Sequence, residues 1–293
     1  MGIVSLIKTF VEWSKIKTVT GTQRSPSRLK HDMSNFQFDG FAAGKNEARF
    51  VDILPDTYLQ ELNSILDWNC FTVDQKGRRF GKPTGPTKRI NPQPIPDYRT
   101  PELHKRFNLS DKTVLEVGCF EGVHTIGLCQ FAKHVKAVDS RIENIVKTMV
   151  RTSFYDCHPQ CFRVDLESLT ETEMTLMSAD VIHHVGVLYH LSNPVAHLQK
   201  MASYINYGIM LDTHYAKPEM LNSEYDVDGV TYKYFRYKES GYQDVFSGMK
   251  DHAKWLQLSD LESILKNAGY KNIEILENRD ERNGPRVLMF ASK

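Results

Sequence analysis

No apolar run in this 293-residue chain is long enough to cross a membrane, so a membrane-spanning protein is not expected. The opening stretch, MGIVSLIKTFVEWSKIKTV, lacks a cleavage-site pattern and is interrupted by Lys8, Glu12, Lys15 and Lys17, so a signal peptide is not expected. Leu6 stands where a myristoylation signal carries Ser or Thr. There is no excess of charge of either sign: 37 Lys and Arg oppose 36 Asp and Glu, for a net charge of +1. Proteins that live on nucleic acid usually carry a basic excess, because neutralised phosphates supply their affinity. The five cysteines form no paired framework, and a chain of this length needs no disulfide staples, which fits a reducing cytoplasm. Cys157-His158-x-x-Cys161 has no second ligand pair at zinc-like spacing, so no metal site is expected. Internal repeats are absent too.

What is there divides into three parts. In residues 1–35, Ile3, Leu6, Ile7, Phe10 and Val11 recur at helical spacing and precede a polar, basic linker at 18–35. This amphipathic helix is expected to pack on its own domain or on a second subunit, giving a homo-oligomer; a membrane partner is not expected. Residues 36–100 read as an N-terminal extension or lid. They hold a helix over 56–67 with Asp56 as N-cap, then a segment broken by Pro83, Pro86, Pro92, Pro94 and Pro96. That segment also carries Lys76, Arg78, Arg79, Lys82, Lys88 and Arg89 among aromatics, and reads as a solvated loop, a cofactor lid or a surface for an anionic substrate.

Residues 101–293 alternate regularly. Strands are expected at 113–117, 134–139, 161–165, 179–186 and 207–213, with helices at 101–108, 122–132, 141–155, 168–177 and 193–205. A Tyr-rich insertion follows at 214–256, with a hairpin turn at Asp228-Gly229. A helix at 259–268 and strands at 271–277 and 286–292 close the chain. This pattern predicts an α/β fold: a Rossmann-like parallel sheet, helices on both faces and an antiparallel last strand, with the insertion covering the functional edge.

The turn at that edge is VLEVGCFEGVHT, residues 114–125. Glu116 ends a strand, and Gly118 and Gly122 bracket the turn into a helix. Phe120 occupies the place where a dinucleotide fingerprint has the glycine that makes room for a pyrophosphate. The turn therefore suits a cofactor without phosphate. Asp139 ends the second strand, placed to accept from a ribose diol; Asp165 ends the third, near where an adenine amino group falls. With these residues the chain resembles the class I S-adenosylmethionine (SAM)-dependent methyltransferases over roughly residues 100–290. The resemblance implies SAM as cofactor, held among Glu116, Gly118, Cys119, Phe120, Gly122, His124, Thr125, Asp139, Ser140, Arg141, Asp165, Leu166, His184 and Gly186.

A narrower likeness lies in Gly186-Val187-Leu188-Tyr189-His190, Gly122-Val123-His124 and Trp255-Leu256. These are similar to segments of the family that converts the wobble uridine of tRNA to carboxymethoxyuridine. That resemblance implies that Tyr189 stands near the extra carboxylate of a carboxylated SAM.

Transfer from a sulfonium needs an aligned nucleophile and, for a hydroxyl, a nearby base. His190 and His214 are candidate bases after the fourth and fifth strands, with Asp212 available to orient a histidine; Tyr189 is expected near the transferred group. Arg282 and Arg286 bracket a turn where an arginine grips a carboxylate or phosphate, and Tyr215 belongs to the insertion that encloses substrate. The leading reading is a methyltransferase acting on a hydroxyl or amine of a small molecule. The alternatives are a tRNA wobble-uridine transferase using SAM or its carboxylated form, and a non-catalytic scaffold assembled through the N-terminal helix.

Overall fold

A computed structural model describes residues 49–82 and 90–293. The helix and linker expected at 1–35, and Pro83, Pro86, Lys88 and Arg89, lie outside the described residues.

The chain begins with α1 (Phe50–Ile53), α2 (Asp56–Ile65) and a short ribbon of β1 (Thr72–Val73) and β2 (Arg79–Phe80). The main unit runs α3 (Arg99–Phe107), β3 (Thr113–Val117), α4 (Val123–Cys129), β4 (His134–Asp139), α5 (Ile142–Ser153), β5 (Gln160–Arg163), α6 (Glu171–Met177), β6 (Ala179–Val185), α7 (Pro194–Met201) and β7 (Ile205–His214). Then come β8 (Ser223–Val227), β9 (Val230–Lys238) and β10 (His252–Leu256), followed by α8 (Leu258–Asn267), β11 (Asn272–Glu281) and β12 (Gly284–Ser292). The seven-stranded sheet has the order β11-β12-β7-β6-β3-β4-β5. Strands β3 to β7 pair in parallel, and β12 runs antiparallel to both its neighbours.

The inner strands are apolar on both faces, as buried parallel strands must be. Leu115, Ile182, Ile209, Leu211 and Met289 pack with Leu198 and Met201 of α7 and Leu261 and Ile264 of α8. The alternate residues Val114, Val181, Met210, Leu288 and Phe290 pack on the other face with Leu103 of α3 and Leu128 of α4. The insertion forms a separate three-stranded sheet, β10-β9-β8, with the β8–β9 turn at Asp228-Gly229.

Three expectations are corrected. Asp56 is the first residue of α2 and Pro55 is its cap, so the carboxylate supports the helix N-terminus without capping it. Cys129, at the end of α4, is disulfide-bonded to Cys157, beyond α5, so cysteine usage no longer argues for a reducing compartment. Arg78 does not face an anionic ligand: it bonds Asp74, Asp56 and the carbonyl of Leu54 at 2.7 Å each, folding the extension on itself.

Glu121 joins the extension to the main unit. Its buried carboxylate accepts from the backbone N–H groups of Asn69 (2.7 Å) and Cys70 (3.0 Å). Lys147 and Arg151 of α5 approach it at 3.2 and 3.4 Å, and Arg151 also lies over the Trp68 ring. Removing one member of such a buried charge set leaves the others uncompensated. Glu121→Gln is therefore expected to cost about 3–5 kcal/mol of stability. Urea unfolding would show this as a lower midpoint at constant slope; an unchanged midpoint would mean the network is dispensable.

Candidate active site

A cavity of about 540 Å³ opens where the carboxyl ends of β3, β4, β5 and β6 meet the insertion. This is where a doubly wound sheet places its ligand. Gly118 and Gly122 have φ of +73° and +79°. A Cβ on Gly118 would overlap Cγ2 of Val187, and one on Gly122 would sit 3.0 Å from Cα of Thr148, so neither position has room for a side chain. Between them Phe120 is also left-handed, with φ +51°, and its ring lies 5.6 Å from that of Phe246.

Gly118, Cys119, Phe120, His124, Asp139, Ser140, Arg141, Asp165, Leu166 and Gly186 all line the cavity, as do Tyr189, His190 and Arg286. The Asp139 oxygens accept from the backbone N–H groups of Phe120 (3.1 Å) and Arg141 (2.9 Å), and burial raises its carboxyl pKa. The Asn144 side chain also donates to this carboxylate, which leaves about one of its lone-pair sites for a ligand. The Arg141 guanidinium is taken by the lid, donating to the carbonyls of Tyr242 (2.7 Å) and Asp244 (2.9 Å). Loop residues 245–249 complete the wall above it.

Several expected site residues lie elsewhere. Glu116 is 1% exposed and accepts from Thr125 Oγ1 at 2.5 Å, so it and Thr125 sit under the cavity floor with Gly122. Burial pushes the Glu116 carboxyl up to about 8. His184 is not a cofactor contact. It faces the opposite side of β6, where its Nε2 lies 3.0 Å from Nε2 of His197 on α7. His214 is buried behind Tyr189, stacked on Trp255 at 4.7 Å, with Nδ1 3.0 Å from the Pro285 carbonyl. Tyr215 points away and donates to Asn278 at 2.8 Å. Arg282 is exposed at the tip of the β11–β12 hairpin, outside the cavity.

Asp212 orients no histidine. It is fully buried and meets the guanidiniums of Arg286, of Arg99 (2.8 Å) and of Arg279 (3.1 Å). Burial alone would raise its carboxyl, but Arg286, Arg99 and Arg279 together hold it below the usual range. Arg99 and Arg279 both line the cavity and escaped the sequence reading. So did Glu239, 6% exposed at the end of β9, whose Oε1 lies 2.8 Å from Nδ1 of His190.

Comparison with known proteins agrees with this architecture. A family profile described as "Methyltransferase domain" matches residues 94–275. The N-terminal domain of EvdMO1 with SAH bound superimposes with a TM-score of 0.65 at 22% identity, covering 80% of this chain and 94% of that one. The same domain in the presence of SAH and D-fucose gives 0.64 with the same coverage. A tRNA U34 carboxymethyltransferase from Campylobacter curvus (strain 525.92) is 28% identical over 116 residues, 39% of this chain and 38% of the relative. The match thus spans well under half the length of that curated relative.

The arginine cluster generates a pH prediction. A carboxylate with a depressed folded pKa contributes stability above its unfolded pKa, about 3.9, which is lost as pH falls toward the folded value. Asp97, held low beside His124 and Arg99, acts in the same direction. Thermal stability is therefore expected to fall as pH drops below about 4. Asp212→Asn should lower stability at neutral pH by about 3–5 kcal/mol and flatten that acid limb. Melting curves from pH 7 downward check this; an unaltered acid limb in the variant would contradict it.

Proposed function

The chain belongs to the methyltransferase-domain family, and we propose that it transfers a methyl group from SAM to a hydroxyl or amine of a small molecule of sugar or natural-product type. The observation that carries this reading is His190, which lines the cavity with its Nδ1 held by buried Glu239. A carboxylate only accepts, so Nδ1 carries the proton and Nε2 is the basic nitrogen.

The residues fit the donor. The glycine-lined turn admits close approach, Asp139 keeps accepting capacity for a ribose hydroxyl, and Phe120 and Leu166 supply apolar surface for a base. The cavity lies in the size range of small-ligand sites. When bound, SAM supplies an electrophilic methyl carbon. His190 takes the proton from the acceptor at Nε2, Glu239 steadies the resulting imidazolium, and the lid held by Arg141 excludes water. That EvdMO1 was crystallised with D-fucose supports a sugar as acceptor. Net charge is also near neutral, and Arg78, one of the basic residues of the extension, is consumed internally.

One observation favours a second reading. The Arg286 guanidinium lies 5.3 Å from the centre of the Tyr189 ring, at the cavity wall. A carboxylate could be gripped there, as a wobble-uridine transferase with a carboxylated donor would require. Salt separates the two, because a tRNA substrate binds far more weakly as salt rises whereas a neutral sugar does not.

His190→Gln is expected to lower kcat by about 10²–10⁴-fold with SAM affinity retained. Glu239→Gln should lower kcat less. SAH release with a panel of deoxysugars and amines measures both; full activity in His190→Gln would remove the base from the account. Asp139→Ala is expected to weaken SAM binding by roughly 1.5–3 kcal/mol, the scale of hydrogen bonds to a charged group. Calorimetry reads this, and unchanged affinity would mean the ribose lies elsewhere.

A further inference from the structure

Beneath the cavity floor lies a cluster that methyl transfer does not use. Glu116 of β3 and His183 of β6 are register partners on adjacent parallel strands, so their side chains stand together on one face of the sheet. His124, in the first turn of α4, comes down on the same spot, its ring 5.3 Å from that of His183. One donor atom from each of the three lies within 4.8 Å of the others.

His183 is the anomaly. It is 1% exposed, and neither ring nitrogen has a hydrogen-bond partner. Leaving a buried polar atom unpaired costs about 1–3 kcal/mol, so such a group calls for an occupant. Glu116 is nearly as isolated, with the Thr125 hydroxyl against one oxygen.

We propose that Glu116, His124 and His183 form a binding site for a divalent transition-metal ion of the zinc, iron(II) or cobalt(II) class. Two imidazoles and one carboxylate suit these ions, whereas magnesium and calcium prefer all-oxygen sets. Ligands about 2.1 Å from a common centre lie at most roughly 4.2 Å apart. Around a tetrahedral centre they lie roughly 3.4 Å apart, so the set must close by about an ångström, and the His124 ring, the one partly exposed member, is the one able to move. Asp97, 3.9 Å from Nε2 of His124, is placed as an outer-sphere carboxylate. The nearby positive charge of Arg99, 3.4 Å from the same nitrogen, is offset by its ion pairs with Asp97 and Asp212. Of the three ligands His124 alone lines the cavity, so the ion's open positions face it, where water or a ligand oxygen completes the sphere.

Cobalt(II) titration of the full chain tests the site independently of any transferase activity. The expected result is visible d–d absorption saturating at about one ion per chain, without a sulfur charge-transfer band. His124→Ala and Glu116→Gln should each weaken binding by at least about tenfold, with melting temperatures of the metal-free proteins recorded as a folding control. His124 is partly exposed and Gln is isosteric with Glu, so at least one variant reports on a folded chain. The proposal is overturned if the wild type shows no saturable absorption, if both variants bind as it does, or if a thiolate band places the ion on cysteine. A water in the gap, with no metal affinity, gives the first of these results.

Discussion

The wall of the cavity depends on one buried carboxylate. Asp212 gathers Arg99 from the start of α3, Arg279 from β11 and Arg286 from β12, three elements far apart in the chain. Burying that anion alone would be prohibitive, and burying one arginine against it would leave donors unmet. Instead each guanidinium has a further acid: Arg99 has Asp97, Arg279 has Glu277 and Glu281, and Arg286 has Glu281. The chain entering the main unit is thereby fixed to its last two strands. On the side where Tyr189 and Arg286 stand, the cavity wall is cross-linked by these ion pairs.

The opposite side is built to be covered. Arg141 spends its donors on lid carbonyls, and Gly248 packs so closely on His190 that a Cβ there would overlap the His190 carbonyl. Glu239 ties the two together, accepting from Gly248 N–H at 3.3 Å while holding His190. A residue read as a base and the loop that covers it are thus positioned by the same carboxylate. Glu121 plays the corresponding part at the back, binding the extension under the glycine turn.

The sheet was legible because its strands alternate with helices and end on glycine or acid, signals that are local in sequence. Strands β3 and β4 fall at the expected 113–117 and 134–139. Which of His183 and His184 faces the cavity side was not legible. Val181 and Ile182 are both buried, so β6 carries no polar alternation to set its parity. Asp212 was visible as a strand end, but its partners lie 113, 67 and 74 residues away and no local pattern announces them. Glu239 hid in a Tyr-rich insertion for the same reason, and Arg282 misled because a two-residue turn carried it into solvent. Phe120 is visible in the sequence as a departure from the dinucleotide pattern, but its left-handed backbone is set by the fold and not by residue type.

The central claim is a site that takes SAM itself, with a small acceptor beside His190. Calorimetric titration of the purified protein with SAM and, separately, with carboxylated SAM tests it most directly. The account predicts that SAM binds as tightly as the carboxylated form or more tightly. Preference for the carboxylated form by at least about tenfold, roughly 1.4 kcal/mol, would contradict it and make Tyr189 and Arg286 a carboxylate clamp.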